Sequence, residues 1–154
     1  MNTTTPAAWL TVNPDTNVAH VSPHMRVEQR SCASKYKSNP YLSSGHTIFH
    51  KIKISITEML IVRHDHNFAN TTFGRNVPYG YAGDCSGPTS CSLGYFKVDL
   101  SGTCVRLGDD IEFTGKSAES DINAERTVAS ARCGGNCGSC KIVEILVQPT
   151  EVCD

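Results

Sequence analysis

The chain has 154 residues, of which 39% are hydrophobic and 19% are charged, and its formal net charge is -1. This length suits one domain with a real hydrophobic core. The near-neutral charge excludes a polybasic surface for nucleic acid or anionic lipid. No run approaches the roughly 20 apolar residues that a membrane-spanning helix needs, so membrane insertion is not expected.

The first half of the chain predicts short strands separated by turns. Residues 7–12 and 17–21 are two short candidate strands, and residues 28–46 are polar and predict a long loop. The clearest pattern follows, since the even positions carry Ile48, Ile52, Ile54 and Ile56 while lysine, serine and threonine occupy the odd positions from 51 to 57. Alternation of this kind indicates a half-buried strand, and residues 59–62 predict the return strand.

The second half continues the same pattern. Residues 67–87 are rich in Gly, Pro, Asn and Tyr and predict a long surface excursion, and residues 115–126 are polar and predict one helical turn at most. Further strands are predicted at residues 95–100, 104–107, 111–113 and 141–147. Many short strands without an amphipathic helix indicate an all-β fold, an antiparallel sandwich-like domain with long loops.

Three of the eight cysteines fall in one eight-residue stretch, Cys133-Gly134-Gly135-Asn136-Cys137-Gly138-Ser139-Cys140. Glycines let the backbone fold back tightly, so that sulfur atoms can meet their partners. An even number of cysteines at this density favours a disulfide framework, although eight allow 105 pairings. The framework comprises Cys32, Cys85, Cys91, Cys104, Cys133, Cys137, Cys140 and Cys153.

The same three-cysteine spacing, C-x3-C-x2-C, admits other chemistry. An iron–sulfur cluster uses such a loop, but those enzymes place it early in a large α/β barrel. A structural zinc site would take its fourth ligand from Cys85, Cys91 or Cys153, although its usual form has two matched C-x2-C pairs. A redox pair at 137–140 would need a helix N-terminus or a neighbouring cation to stabilise a thiolate. Disulfides are therefore favoured, and no cofactor is expected.

Histidines and serines offer weaker candidates for a site. His64 and His66 lie on one side of an extended segment and could begin a metal site, but the chain contains no His-Glu-x-x-His sequence. Solvated histidines at a strand end are the favoured interpretation. The stretch 83–87 superficially resembles a nucleophilic serine turn, with nothing to specify a triad. Asn2 and Asn70 each begin an Asn-Thr-Thr glycosylation acceptor sequence.

Three stretches together resemble a known module. They are Tyr81-Ala82-Gly83-Asp84-Cys85, residues 90–103 (Ser-Cys-Ser-Leu-Gly-Tyr-Phe-Lys-Val-Asp-Leu-Ser-Gly-Thr), and residues 132–140 (Arg-Cys-Gly-Gly-Asn-Cys-Gly-Ser-Cys). They look like the GON domain, which closes certain secreted zinc metalloendopeptidases with thrombospondin motifs (the ADAMTS family). The resemblance covers nearly the whole chain, and the Cys-Gly-Gly-x-Cys-Gly-x-Cys string is its most specific part. It implies a single domain over residues 1–154 that is truncated at its N-terminal end.

The resemblance also implies a role. It points to a secreted, extracellular, non-catalytic accessory domain that binds a matrix or cell-surface protein, whereas metalloendopeptidase activity and zinc binding would belong to the parent protease. Cys104 stands where the family pattern has glycine, and Cys153 lies beyond the usual end, which implies that these two bond to each other. Two rival hypotheses remain: a zinc module that uses Cys133, Cys137 and Cys140, and a free-standing hydrolase that uses His64 or His66.

Overall fold

A computed structural model describes residues 7–22, 45–83, 94–115, 117–133 and 139–150. Within these ranges the chain forms strands and turns, and none of them contains an apolar helix with the length that a bilayer crossing requires. The strands are β1 (Ala7–Thr11), β2 (Val18–Val21), β3 (Gly45–Phe49), β4 (Lys51–Ser55), β5 (Leu60–Val62), β6 (Ala69–Gly74), β7 (Tyr81–Gly83), β8 (Gly94–Asp99), β9 (Val105–Leu107), β10 (Phe113–Gly115), β11 (Ser117–Ile122), β12 (Val128–Cys133), β13 (Ser139–Ile142) and β14 (Val147–Pro149).

The strands form three sheets. The largest has nine strands in the order β10-β13-β7-β2-β8-β12-β11, with β3 paired to β2 and β6 paired to β3. A three-stranded sheet has the order β1-β4-β5, and β14 pairs with β9. Pairing is antiparallel apart from one parallel contact, between Val21 of β2 and Gly83 of β7. The predicted all-β, antiparallel fold is therefore confirmed.

One hydrophobic core joins the sheets. Alternate residues of the large sheet are buried, among them Ala19 and Phe96, while Ile52, Ile54 and Ile61 enter the same core from the three-stranded sheet. The Ile61 N–H donates to the carbonyl of Ile145 at 2.9 Å, which ties β5 to the segment before β14. Each sheet buries one face, as the period-two pattern of an antiparallel strand requires.

The isoleucine-rich segment forms two strands instead of one. β3 ends at Phe49 and β4 begins at Lys51, because the exposed His50 leaves the large sheet and donates its N–H to the carbonyl of Phe68 at 2.9 Å. The two isoleucines of β4 are buried as predicted. The prediction was wrong at the two ends of the segment, since Ile48 is half-buried on the outer face of β3 and Ile56 is 48% exposed. The return strand predicted at residues 59–62 is confirmed as β5.

Three other predictions were wrong. The surface excursion predicted at residues 67–87 contains β6 and β7, and the polar segment at 115–126 contains β11. The last predicted strand, 141–147, divides into the end of β13 and the start of β14. Both β6 and β11 lie at edges of the large sheet, where solvent covers one side of the strand and apolar alternation is not required.

Two glycines allow backbones to approach closely. A Cβ atom at Gly45 would overlap the carbonyl oxygen of Arg75, and one at Gly94 would overlap the carbonyl oxygen of Gly83. A side chain at either position would force the neighbouring strand or loop away. Gly45 begins β3 and Gly94 begins β8, so both contacts fix where these central strands start.

Candidate functional site

The cysteine-rich stretch begins and ends in the buried core. Cys133, at the end of β12, and Cys140, in β13, are 0% and 2% exposed and form a disulfide with a Cα–Cα distance of 5.4 Å. This bond clamps two strands of the large sheet together. Because zinc binds cysteine as the thiolate, two of the three sulfurs that the zinc hypothesis requires are already bonded to each other. Cys137 lies outside the described residues.

Cys104 is also disulfide-bonded. The carbonyl of Cys104 accepts a hydrogen bond from the Thr150 N–H at 2.8 Å, so the last described residue of the chain lies beside it. The pairing implied by the family resemblance is with Cys153, which lies outside the described ranges, as do Cys32, Cys85 and Cys91. The pairing therefore remains a prediction.

The two histidines of the 64–66 segment lie in different environments. His66 is partly buried, with Nε2 2.9 Å from the carbonyl oxygen of Val77 and its ring centroid 5.6 Å from that of Phe49. It is therefore part of the packing, and the prediction that it is solvated was wrong. His64 is exposed, as predicted. Within the described ranges, no group of three or more His, Cys, Asp or Glu side chains is arranged to hold a metal ion.

Asn70 is an exposed residue of the edge strand β6. The prediction that Asn70 lies in a loop was wrong. Its side chain is nevertheless accessible, because β6 is an edge strand. It is paired with Ile48 and so lies on the outer face of the sheet. Asn2 and the Asp84–Gly87 part of the serine-like stretch lie outside the described residues. Glycosylation at Asn70 remains a prediction.

A row of six side chains crosses the outer face of the large sheet. Direct partners in the strand register link Glu119 to Arg132, Arg132 to Tyr95, Tyr95 to His20, His20 to His46 and His46 to Phe73. Directly opposed residues point to the same face. The row therefore spans β11, β12, β8, β2, β3 and β6, a width of about 24 Å at the usual strand spacing. We call these six residues the outer row.

The rings of the outer row contact one another. The His20 ring stacks on Tyr95 with centroids 4.8 Å apart and an interplanar angle of 26°. His46 stacks on Phe73 with centroids 6.1 Å apart, and the Nδ1 atoms of the two histidines are 2.9 Å apart. Tyr95 and Phe73 are each 39% exposed, so the rings form a surface that is open to a partner. Offset and edge contacts of this kind favour a fixed ring arrangement.

The two histidines are held in their neutral form. Burial, and then the neighbouring His46, lower the pKa of His20 to about 4. Burial also lowers the pKa of His46. At neutral pH one ring can therefore donate its Nδ1 proton to the Nδ1 of the other, since only a neutral imidazole has an acceptor nitrogen.

One end of the outer row is charged. Arg132 lies 3.8 Å from a carboxylate oxygen of Glu119, and both side chains are largely exposed. Beside them, Lys97, Asp121 and the aromatic Tyr95 line an open groove of about 790 Å³. The groove carries two cations and two carboxylates, so its charge is balanced and it suits a polar protein surface better than a polyanion.

The sequence alone does not reveal the outer row. Four of the six members are outward residues between two buried ones, as with His20 between Ala19 and Val21, so the local pattern there marks only a strand. The six residues come together through strand register, and register between strands distant in sequence is not readable from local alternation. The sequence does show that several strands carry an aromatic or imidazole side chain at an outward position, and this is the signal that could have indicated the outer row.

Comparison with known proteins gives the family. Residues 1–148 match the GON domain. The chain is 32% identical over 152 residues, 91% of its length, to the protein "A disintegrin and metalloproteinase with thrombospondin motifs gon-1" of Caenorhabditis elegans, and 35% identical over 66% of its length to "A disintegrin and metalloproteinase with thrombospondin motifs 20" of Homo sapiens. It spans 7% and 6% of those relatives. No solved structure matches it significantly. The chain, with its all-β body and buried Cys133–Cys140 bond, belongs to the GON domain family.

Proposed function

We propose that this chain is a non-catalytic, secreted accessory domain that binds a protein of the extracellular matrix through the outer row. The observation that carries the proposal is the line of rings formed by Tyr95, His20, His46 and Phe73, which strand register fixes across four strands of one sheet face. The two outer rings are exposed and the two histidines are half-buried. Aromatic and arginine side chains are the residues that most often dominate the binding energy of protein interfaces. The row has both, with Arg132 next to Tyr95.

Rigidity also supports a binding role. Four of the six outward side chains stand on strands inside the sheet, and Ala19 and Phe96, the inward neighbours of His20 and Tyr95, are buried in the core. Side chains on such a platform lose little conformational entropy when a partner binds, because their positions are already set. Tyrosine and phenylalanine contribute large contact areas with few rotatable bonds. The row therefore has the properties of a preformed interface.

The relatives support an accessory role. Both are named as metalloproteinases, and the matched region is less than a tenth of each. A domain that is a small part of a protease can act by positioning it on a matrix. The cleavage chemistry would then belong to another part of the parent protein, as expected from a chain without the His-Glu-x-x-His sequence.

The experiment measures retention of the purified chain on matrix deposited by cultured fibroblasts. The matrix is first treated with heparinase and chondroitinase, so that proteins remain and sulfated polysaccharides are removed. Replacing Tyr95 and Phe73 together by serine is expected to weaken retention at least tenfold, because each buried aromatic contact is typically worth more than about 1 kcal/mol.

The matched control is Phe68→Ser. Phe68 is exposed to a similar degree, but it lies against Trp9 beside the three-stranded sheet, away from the outer row. Its replacement is expected to leave retention unchanged. Equal loss in both variants, or no loss in the Tyr95/Phe73 variant, would overturn the proposal. Circular dichroism of each variant separates loss of binding from loss of folding.

A further inference from the structure

A second site lies away from the outer row, in a cavity rich in positive charge. It is formed where the segment after β5, the loop between β6 and β7, and strand β13 meet. Its volume is about 330 Å³. Three of its side chains are cations, Arg63, Arg75 and Lys141, and the amide Asn76 stands among them. We call this cavity the cationic pocket.

In the part of the chain that the structure describes, none of the three cations forms an ion pair with a carboxylate. Asp65 is adjacent in sequence to the pocket, but it lies 3.9 Å from the ammonium of Lys53 and accepts hydrogen bonds from Asn67. This concentration of positive charge stands out in a chain whose net charge is -1.

Arg63 is the most confined of the three. Its Nη2 donates to the carbonyls of Ile142 and Val143, while its Nη1 is buried and has no hydrogen-bond partner in the described structure. Burial lowers the pKa of its guanidinium, and the exposed Glu144 partly offsets that effect. A buried donor without an acceptor is destabilising, and negative charge placed near this guanidinium would offset part of that cost.

The pocket offers donors to a ligand. The side-chain oxygen of Asn76 accepts a hydrogen bond from the hydroxyl of Thr71, so its amide N–H groups remain to donate. Arginine and lysine have donors only, and bonds from them to an oxyanion are charge-assisted. A lining of this kind favours a ligand whose surface is made of acceptor oxygens.

The uncharged walls of the pocket indicate what the uncharged part of the ligand is. Tyr81 and Pro78 supply a ring face and an apolar edge, and Tyr81 is the direct register partner of Lys141 across β7 and β13. A sugar ring can place its C–H groups against Tyr81 while its anionic substituent points to the cations. The volume admits one sugar ring with its substituent, which is more than an isolated ion requires.

We propose that the cationic pocket binds a sulfated sugar unit of a glycosaminoglycan, with Arg75, Lys141 and Asn76 on the sulfate and Tyr81 against the ring. This goes beyond the proposed function, since it assigns a glycan to a surface separate from the outer row. Neither proposal depends on the other. Arg63 supplies fixed positive charge at the back of the pocket.

The test is titration of the chain with a heparin-derived hexasaccharide. Arg75→Gln and Lys141→Gln are each expected to weaken binding about fivefold to tenfold, and the control Lys97→Gln, which removes one half-buried cation from β8, is expected to leave it unchanged. A hexasaccharide with its sulfates removed is expected not to bind. Arg63 is left intact in these variants, because its hydrogen bonds to the backbone make it part of the fold.

Each other outcome would overturn the proposal. Equal weakening by all three substitutions would mean that general surface charge binds the polysaccharide. Equal binding of the desulfated hexasaccharide would remove the sulfate contact, and tight binding of sodium sulfate or of a tyrosine-sulfated peptide in place of the hexasaccharide would remove the sugar. The matrix assay uses matrix from which sulfated polysaccharides have been removed, so it tests the outer row separately from the cationic pocket. Failure of the hexasaccharide titration would therefore leave the protein-binding proposal standing, and failure of the matrix assay would leave the glycan-binding proposal standing.

Discussion

Asn17 and Tyr79 meet in the interior of the domain, where the tyrosine hydroxyl donates a hydrogen bond to the side-chain oxygen of the asparagine. They are 0% and 1% exposed. The same asparagine oxygen accepts the Asp99 N–H at 2.9 Å, and the asparagine amide donates to the carbonyls of Asn13 and Asp99. One buried side chain therefore ties together the turn before β2, the end of β8 and the loop before β7.

This arrangement predicts that Asn17→Ala is strongly destabilising. The change leaves several buried donors and acceptors unpaired, so we expect a loss of about 3 kcal/mol in the free energy of unfolding. Tyr79→Phe removes only one donor and leaves Asn17 with its backbone partners, so we expect about 1 kcal/mol. Urea denaturation followed by tryptophan fluorescence measures both. Asn67→Ala, at an exposed turn, is the control and is expected to change stability little. Equal losses for Asn17→Ala and Tyr79→Phe would contradict the arrangement.

The histidine pair predicts a loss of stability in mild acid. The folded pKa of His20 is about 4, below the value near 6.5 of an unfolded chain. The unfolded state therefore binds the proton first as pH falls, so the stabilisation is complete above about 6.5 and declines towards pH 4. Because His20 is only partly buried, we expect this group to contribute about 1–2 kcal/mol, less than the full shift would give.

The measurement is the urea midpoint at pH 7.5 and at pH 5.0, for the wild type and for His20→Phe. Phenylalanine keeps the ring against Tyr95 and removes the titrating nitrogens. The variant is expected to lose less stability between the two pH values. Carboxylates titrate in both proteins, so the difference between them isolates the imidazole. Equal pH dependence in the wild type and the variant would show that protonation of His20 does not change the stability of the fold in this range.

The Cys133–Cys140 bond predicts a third effect. It closes a loop with a sequence separation of 7 between buried positions of β12 and β13. Replacing both cysteines by alanine is expected to lower the free energy of unfolding by about 2–3 kcal/mol, as for other short crosslinked loops. The urea m-value is expected to rise, because the unfolded chain becomes less compact. Peptide mapping of the unreduced protein is the independent check, and a different partner for Cys133 would contradict the bond.

The sequence predicts best the strands that lie inside the sheets. In β8, buried Phe96 and Val98 alternate with outward Tyr95 and Lys97, and this alternation is readable because one face meets the core. In β4 the same holds for Ile52 and Ile54. Burial on one face imposes the period-two pattern, so local sequence is sufficient there.

The strands β6 and β11, which escape prediction, lie at the edges of the large sheet and lack apolar alternation. β6 reads Ala-Asn-Thr-Thr-Phe-Gly and β11 reads Ser-Ala-Glu-Ser-Asp-Ile, with little apolar content, and each is held at an edge by hydrogen bonds from one neighbour. The cationic pocket escapes prediction for a different reason. Arg63, Arg75 and Lys141 are separated by up to 78 positions in the chain, and only the packing of three segments brings them together.

Gly45 places the two proposed binding surfaces in mechanical contact. It precedes His46 of the outer row, and the carbonyl of Arg75, whose side chain lines the cationic pocket, rests where a Cβ atom would stand. A displacement of this loop by an occupant of the pocket would press directly on the strand that holds His46. A methyl group at position 45 would push β3 and the loop that carries Arg75 apart. Both proposed surfaces therefore require glycine at this position.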